Sequence, residues 1–212
     1  MLIAATTGSL ASVRILVAAG ARPDAVNNMG ANILHMAALS PDATPELIRG
    51  LVALLLEHSG ASPAAAAGVA GVAAAGAGAG ATGAAGALRV PPEVNMPMYP
   101  RKCLWSFIFK LARMAHRMGT TNRSLLLLAG AWKNTPLHAA AGYGNLDTAR
   151  ALVMCGADAA VRGGAGLTPL ETTRVVLGGG ECWGVKRVAR LAAETSGWGE
   201  DVLREVLGLK GT

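Results

Sequence analysis

Apolar residues along the C-terminal half fall at helical spacing. Leu146, Ala149, Leu152 and Val153 line one face, and Leu137, Ala140 and Ala141 form a shorter stripe just before them. The pattern predicts two helices. Thr135 stands where a hydroxyl can accept from a free backbone N–H, Pro136 suits the first helical position, and Gly144 and Gly156 supply the left-handed turns that end each helix. A pair this small cannot bury both faces by itself and must stack on neighbours. Similar stripes recur elsewhere: around Val13–Val17, through Pro45, Leu47, Leu51, Leu54, Leu55 and Leu56 to Gly60, and over 185–192, with a short closing helix over 201–207. The segment 103–118 is patterned differently. Leu104, Phe107, Ile108, Leu111, Ala115 and Met118 share one side and Lys110, Arg113 and Arg117 another, which predicts a basic amphipathic helix. An apolar side packed on the helix stack and a solvated basic side is the simplest expectation for it.

The pairs also repeat as units. Thr135-Pro136-Leu137-His138 returns as Thr168-Pro169-Leu170-Glu171, 33 residues later. Between the copies lie Gly144-Asn145-Leu146, Ala149–Val153 and Gly156-Ala157-Asp158. The N-terminal part aligns with the same frame: Gly8-Ser9-Leu10, Val13–Val17 and Gly20-Ala21, with Asn32-Ile33-Leu34-His35 at the position of the Thr-Pro-Leu-His motif. Gly20 to Asn32 and Gly156 to Thr168 are both 12 residues. This period and motif resemble the ankyrin repeat. The likeness covers residues 4–61 and 132–193, with Asn for Thr at position 32 and Glu for His at position 171.

The resemblance implies an all-α, ankyrin-type helical solenoid of three to four repeats, interrupted by an Ala/Gly-rich insertion. Its parts are N-terminal repeats over 1–61, the first one partial because the chain starts inside a unit, and a low-complexity Ala/Gly and Pro-rich linker over 62–100. A basic insertion or degenerate repeat follows over 101–131, then C-terminal repeats with a capping helix over 132–212. Function by resemblance is non-catalytic protein–protein interaction, with no cofactor and no metal. Ankyrin-like proteins bind through hairpin tips and the inner helices. The matching positions are Asn27, Asn28 and Met29 on one tip, Arg162 and Gly163 on another, and Met36, Ala139 and Tyr143 on inner helices. His35 and His138 take the family's structural role, bonding nearby backbone. A fragment of a larger ankyrin-containing enzyme is the other class consistent with the resemblance.

Charge changes the picture in one place. The net charge is +6, yet residues 94–146 contain no acid and seven of the basic residues: Arg101, Lys102, Lys110, Arg113, Arg117, Arg123 and Lys133. An acidic protein surface or an anionic membrane therefore fits the 103–118 helix. Nucleic acid fits less well, because no aromatic residues interleave with the basic ones as a base-stacking platform requires. From Gly60 to Thr135 the chain exceeds the repeat spacing by about 63 residues. The uncharged run 59–88 is long enough to span a bilayer, but it is Ala and Gly with only Val69, Val72 and Leu88 as larger apolar residues.

Other chemistry is weakly represented. Cys103, Cys155 and Cys182 form no CxxC pair and fit a reducing compartment. The four histidines are scattered, which disfavours a zinc site. Gly78-Ala79-Gly80-Ala81-Thr82-Gly83 matches a dinucleotide fingerprint but follows no strand. Asn122-Arg123-Ser124 is a glycosylation sequon without a clear secretory signal. A small-molecule substrate is not expected. The expected location is cytoplasmic, or an organelle if residues 1–23, which hold Arg14 and Arg22 and no acid, serve as a transit peptide.

Overall fold

The computed structural model describes residues 1–60, 90–119 and 130–172. Within them the chain is helical and has no strand. The helices are α1 (Leu2–Thr6), α2 (Leu10–Ala18), α3 (Ile33–Ala38), α4 (Pro45–His58), α5 (Cys103–Arg117), α6 (Pro136–Tyr143) and α7 (Leu146–Met154). A short 3₁₀ turn lies at Pro92–Val94, and the backbone is helical again from Pro169 to Thr172.

Local sequence sets the helix ends. The side chains of Ser9, Asn32, Thr44 and Asn145 each accept from a backbone N–H three residues on, so α2, α3, α4 and α7 start where an orphan donor is satisfied. Pro45 and Pro136 open α4 and α6 at positions where no N–H partner is lost. Gly144 closes α6 in the left-handed conformation, φ +72°. The longer loop between α3 and α4 spans the Ser40–Thr44 stretch.

These helices pair and then stack. α1 packs on α2, α3 on α4, and α6 on α7. Among the first helices of each pair, α3 touches both α1 and α6; among the second, α4 touches both α2 and α7. The core runs through all three pairs and includes Ala5, Val13, Ile33, Leu34, Leu47, Ile48, Leu51, Leu56, Leu137 and Leu152, all nearly inaccessible. Small residues Ala37, Ala140, Ala141 and Ala149 are fully buried with them and permit close helix approach.

Residues 90–101 form a strap across this stack. The Asn32 side-chain amide donates to the Glu93 carbonyl at 2.8 Å. Asn95 donates to the Gly156 carbonyl at 3.2 Å and accepts from the Asp158 N–H at 2.8 Å. Met98 N–H donates to Asn134 O at 2.9 Å, Lys133 N–H returns to Met98 O at 3.1 Å, and Arg101 N–H reaches Asn28 O at 3.2 Å. Val94 is fully buried. The prolines foretell an extended stretch, but nothing in them foretells that it is bonded to three separate parts of the stack.

Helix α5 forms as expected, with a different side inward. Phe109 and Ala112 are fully buried, whereas Leu104, Phe107, Leu111 and Met118 are exposed. Ile108 and Ala115 are half-buried. The cause is Trp132. Its ring centroid lies 5.6 Å from that of Phe109 and 5.5 Å from the guanidinium carbon of Arg113, and Tyr99 meets it edge-on at 6.1 Å. These contacts turn the Phe109 side of the helix towards the protein and leave most of the expected apolar side in solvent.

The Ala/Gly run to Leu88, the 78–83 fingerprint match, the sequon at 122–124, the last repeat helix over 185–192 and the closing helix over 201–207 lie outside the described residues.

Candidate interaction surface

Two histidines fix how the pairs sit on one another. His138 Nε2 faces the Leu167 carbonyl at 3.0 Å, while its Nδ1 accepts from Thr135 N–H at 3.3 Å. His35 repeats the arrangement: Nε2 faces the Asn134 carbonyl at 2.9 Å and Nδ1 accepts from Asn32 N–H at 3.3 Å. His35 Nδ1 also lies 2.7 Å from Asn32 Oδ1. On His138, a carbonyl at Nε2 and the Thr135 N–H and hydroxyl at Nδ1 select the neutral ring with its proton on Nε2. Burial enforces the same state, pushing the His35 pKa down to about 4 and lowering that of His138 as well. Asn134 and Leu167 each directly precede a motif Thr. So α6 follows α3 in the stack as the segment at Pro169 follows α6, although 99 residues of sequence separate His35 from Asn134 against 29 for the other pair.

On the first tip, Asn27 is half-buried, and its carboxamide oxygen accepts from Met29 N–H at 2.9 Å and Ala31 N–H at 3.0 Å. That side chain holds the turn. Asn28 is exposed, but its carbonyl is bonded by the strap. Met29 is half-buried, and the next residue, Gly30, has φ +83° and lies against the Tyr99 backbone, so no side chain fits there. On the second tip, Arg162 is exposed and donates to Gly166 O at 2.6 Å. Gly163 is buried, and a methyl group added to it would strike the Asn134 side chain and crowd His138. Asn27 and Gly163 are thus built into the tips, and Asn28 and Arg162 present side chains to solvent.

On the inner helices, Met36, Ala139 and Tyr143 are half-buried. Met36 and Ala139 hold the same place, one residue after the stacked histidines of neighbouring helices. Met36 and Asn27 also line an open, mostly apolar depression of about 500 Å³ with Met1, Ile3, Arg22 and Ala25. Of the basic side of α5, Lys110 and Arg117 are exposed and Arg113 is half-buried over Trp132. The strap contacts and the outward apolar side of α5 escape sequence reasoning, because both depend on where Trp132 and Asn134 lie in the fold.

Among the described residues, no group of three or more His, Cys, Asp or Glu side chains is placed to hold a metal ion, and no helix is long and apolar enough to cross a membrane. Cys103 is exposed, and burial raises the pKa of the Cys155 thiol to about 11.

The unit from Trp132 to Gly163 closes on itself, with Gly164 N–H donating to Trp132 O at 2.8 Å. Residues 132–163 match the family model of the ankyrin repeat. Over these residues the chain is similar to an ankyrin repeat. The ankyrin repeat is a protein-interaction fold, and α6 and α7 are the two helices within the matched segment. Among curated proteins, none matches the chain.

Proposed function

We propose that the chain is a non-catalytic protein-binding module, an ankyrin-type stack of three to four repeats broken by an insertion of about 63 residues between Gly60 and Thr135. The proposed boundaries are repeats over 1–61, a linker over 62–100 whose last part, 90–100, is the strap on the stack, the basic segment over 101–131 and repeats over 132–212. The observation that carries this reading is the pair of equivalent histidine bonds, His35 to Asn134 and His138 to Leu167. They keep α3 and α6 in the register of successive ankyrin units, so the inner helices present one continuous surface. The partner is another protein. Met36, Ala139 and Tyr143 form the proposed contact surface, Asn28 and Arg162 lie at its edge, and Asn27, Met29 and Gly163 hold the tips that frame it. A fold of this kind specifies no ligand chemistry, so the partner is defined by experiment.

The test is affinity capture with the full chain, comparing wild type with Met36→Glu, Ala139→Arg and a control, Glu57→Lys, at an exposed position on α4. Wild type and control should retain a common partner, and the two inner-helix variants should lose it at least about tenfold, the effect of one interface hot spot. Retention of the partner by both variants, with their helical circular dichroism unchanged, would overturn the assignment.

A further inference from the structure

Helix α5 shows solvent a continuous apolar stripe. Leu104, Phe107, Leu111, Met114 and Met118 are 66%, 64%, 42%, 54% and 79% exposed. Spaced three or four residues apart, they fall on one side of the helix from its first turn to just past its last. Isolated exposed apolar residues are ordinary, but a contiguous row of this kind marks an interaction surface. The helix is already clamped from its other side through Phe109, Ala112 and the Arg113–Trp132 contact, so the stripe is held outward.

Basic side chains border it. Lys110 and Arg117 are exposed on the turns next to the stripe, and Arg101 and Lys102 are exposed just before the helix. Residues 94–146 contain no acid to oppose them. We propose that α5 is a membrane-surface anchor, lying flat on an anionic lipid bilayer with this stripe among the acyl chains and Lys110 and Arg117 at the phosphates. The stripe shares no residue with the inner-helix surface proposed above to bind a protein.

Charge complementarity selects this occupant. A rim of one sign suits a fluid anionic surface, which needs no register, whereas protein partners are aligned by charges of both signs. An apolar stripe with Leu and Phe on one side of a helix and Lys and Arg next to it is the pattern of helices that rest about 5–10 Å deep at the headgroup boundary. The long basic stems can lie along the apolar side while their charges reach the phosphates. At 15 residues α5 is too short to span, so a position in the plane is the one available to it.

The test is sedimentation of the full chain with vesicles of phosphatidylcholine alone or with about one-third phosphatidylserine, the anionic lipid that attracts basic segments. Wild type should bind the anionic vesicles and leave the neutral ones largely free. Lys110→Gln with Arg117→Gln should weaken binding about thirtyfold, each basic residue contributing about fivefold near such a surface. Phe107→Glu with Leu111→Glu should abolish it while circular dichroism stays unchanged, because both side chains are exposed. Should that variant lose helicity, salt decides: wild-type binding must fall about tenfold or more between low and high salt as the charges are screened. Equal binding to both vesicle types overturns the proposal, as does binding indifferent to salt or to the charge variants. So does a concentration-dependent dimer broken by Phe107→Glu and Leu111→Glu with no vesicle binding, which would make a second copy the occupant. Capture of an acidic protein by α5 without vesicle binding also overturns it.

Discussion

A neutral histidine in the core ties stability to pH in one direction. The His35 pKa is about 4 in the folded chain, against 6.5 for an ordinary histidine, because burial penalises the imidazolium. Below pH 6.5 the unfolded chain takes up a proton that the folded chain refuses until about pH 4. Stability is therefore full above 6.5, declines as pH falls towards 4, and levels off below. One such group contributes about 1.4 kcal/mol per pH unit, or about 3 kcal/mol across the window, and His138 acts in the same sense. The melting temperature should fall between pH 7 and pH 4.5, with the His35 ring resonance unshifted above pH 5. A ring that titrates near 6.5 would show that His35 is not held in this site. The structural role of both histidines is legible in the sequence, since the Thr-Pro-Leu-His motif and the Asn-Ile-Leu-His variant place a cap three residues before each ring. The carbonyl that His35 bonds is not legible as a contact, because Asn134 stands 99 residues away.

Helices read well from short-range signals because caps, prolines and apolar spacing act within one or two turns. The limits of α3, α4, α6 and α7 follow from Asn32, Thr44, Thr135, Gly144 and Asn145. The strap does not read well, because its bonds are made by backbone groups and by Asn95, whose partners are set by the stack. Helix α5 shows the same limit: periodicity reveals that one side is apolar, but which side turns inward depends on Trp132. Strap and first hairpin meet at Gly30, whose positive φ and contact with the Tyr99 backbone leave no room for a side chain. Gly30→Ala should cost at least about 1–2 kcal/mol from the left-handed backbone alone. Faster amide exchange should appear at Arg101, whose N–H bonds the tip at Asn28. A variant with unchanged melting temperature and exchange would mean the strap does not rest on this hairpin.

At the scale of the molecule, α6 stacks on α3 and α7 on α4, although the insertion separates them in sequence. The recurring motif predicts this adjacency and the spacing does not: Asn32-Ile33-Leu34-His35 and Thr135-Pro136-Leu137-His138 match as units but stand 103 residues apart instead of 33. Repeat stacks draw stability from contacts between neighbours, so cooperativity should pass from the α6–α7 pair through the α3–α6 and α4–α7 contacts into the N-terminal pairs. Leu152 is fully buried in α7, and Leu152→Ala should remove about 2–5 kcal/mol. Amide hydrogen exchange of this variant measures the coupling directly. If the pairs form one stack, the amides of α3 and α4 lose protection together with those of α6 and α7. Loss confined to α6 and α7, with α3 and α4 protected as in the wild type, would contradict a continuous stack and with it the inner surface on which the proposed function rests.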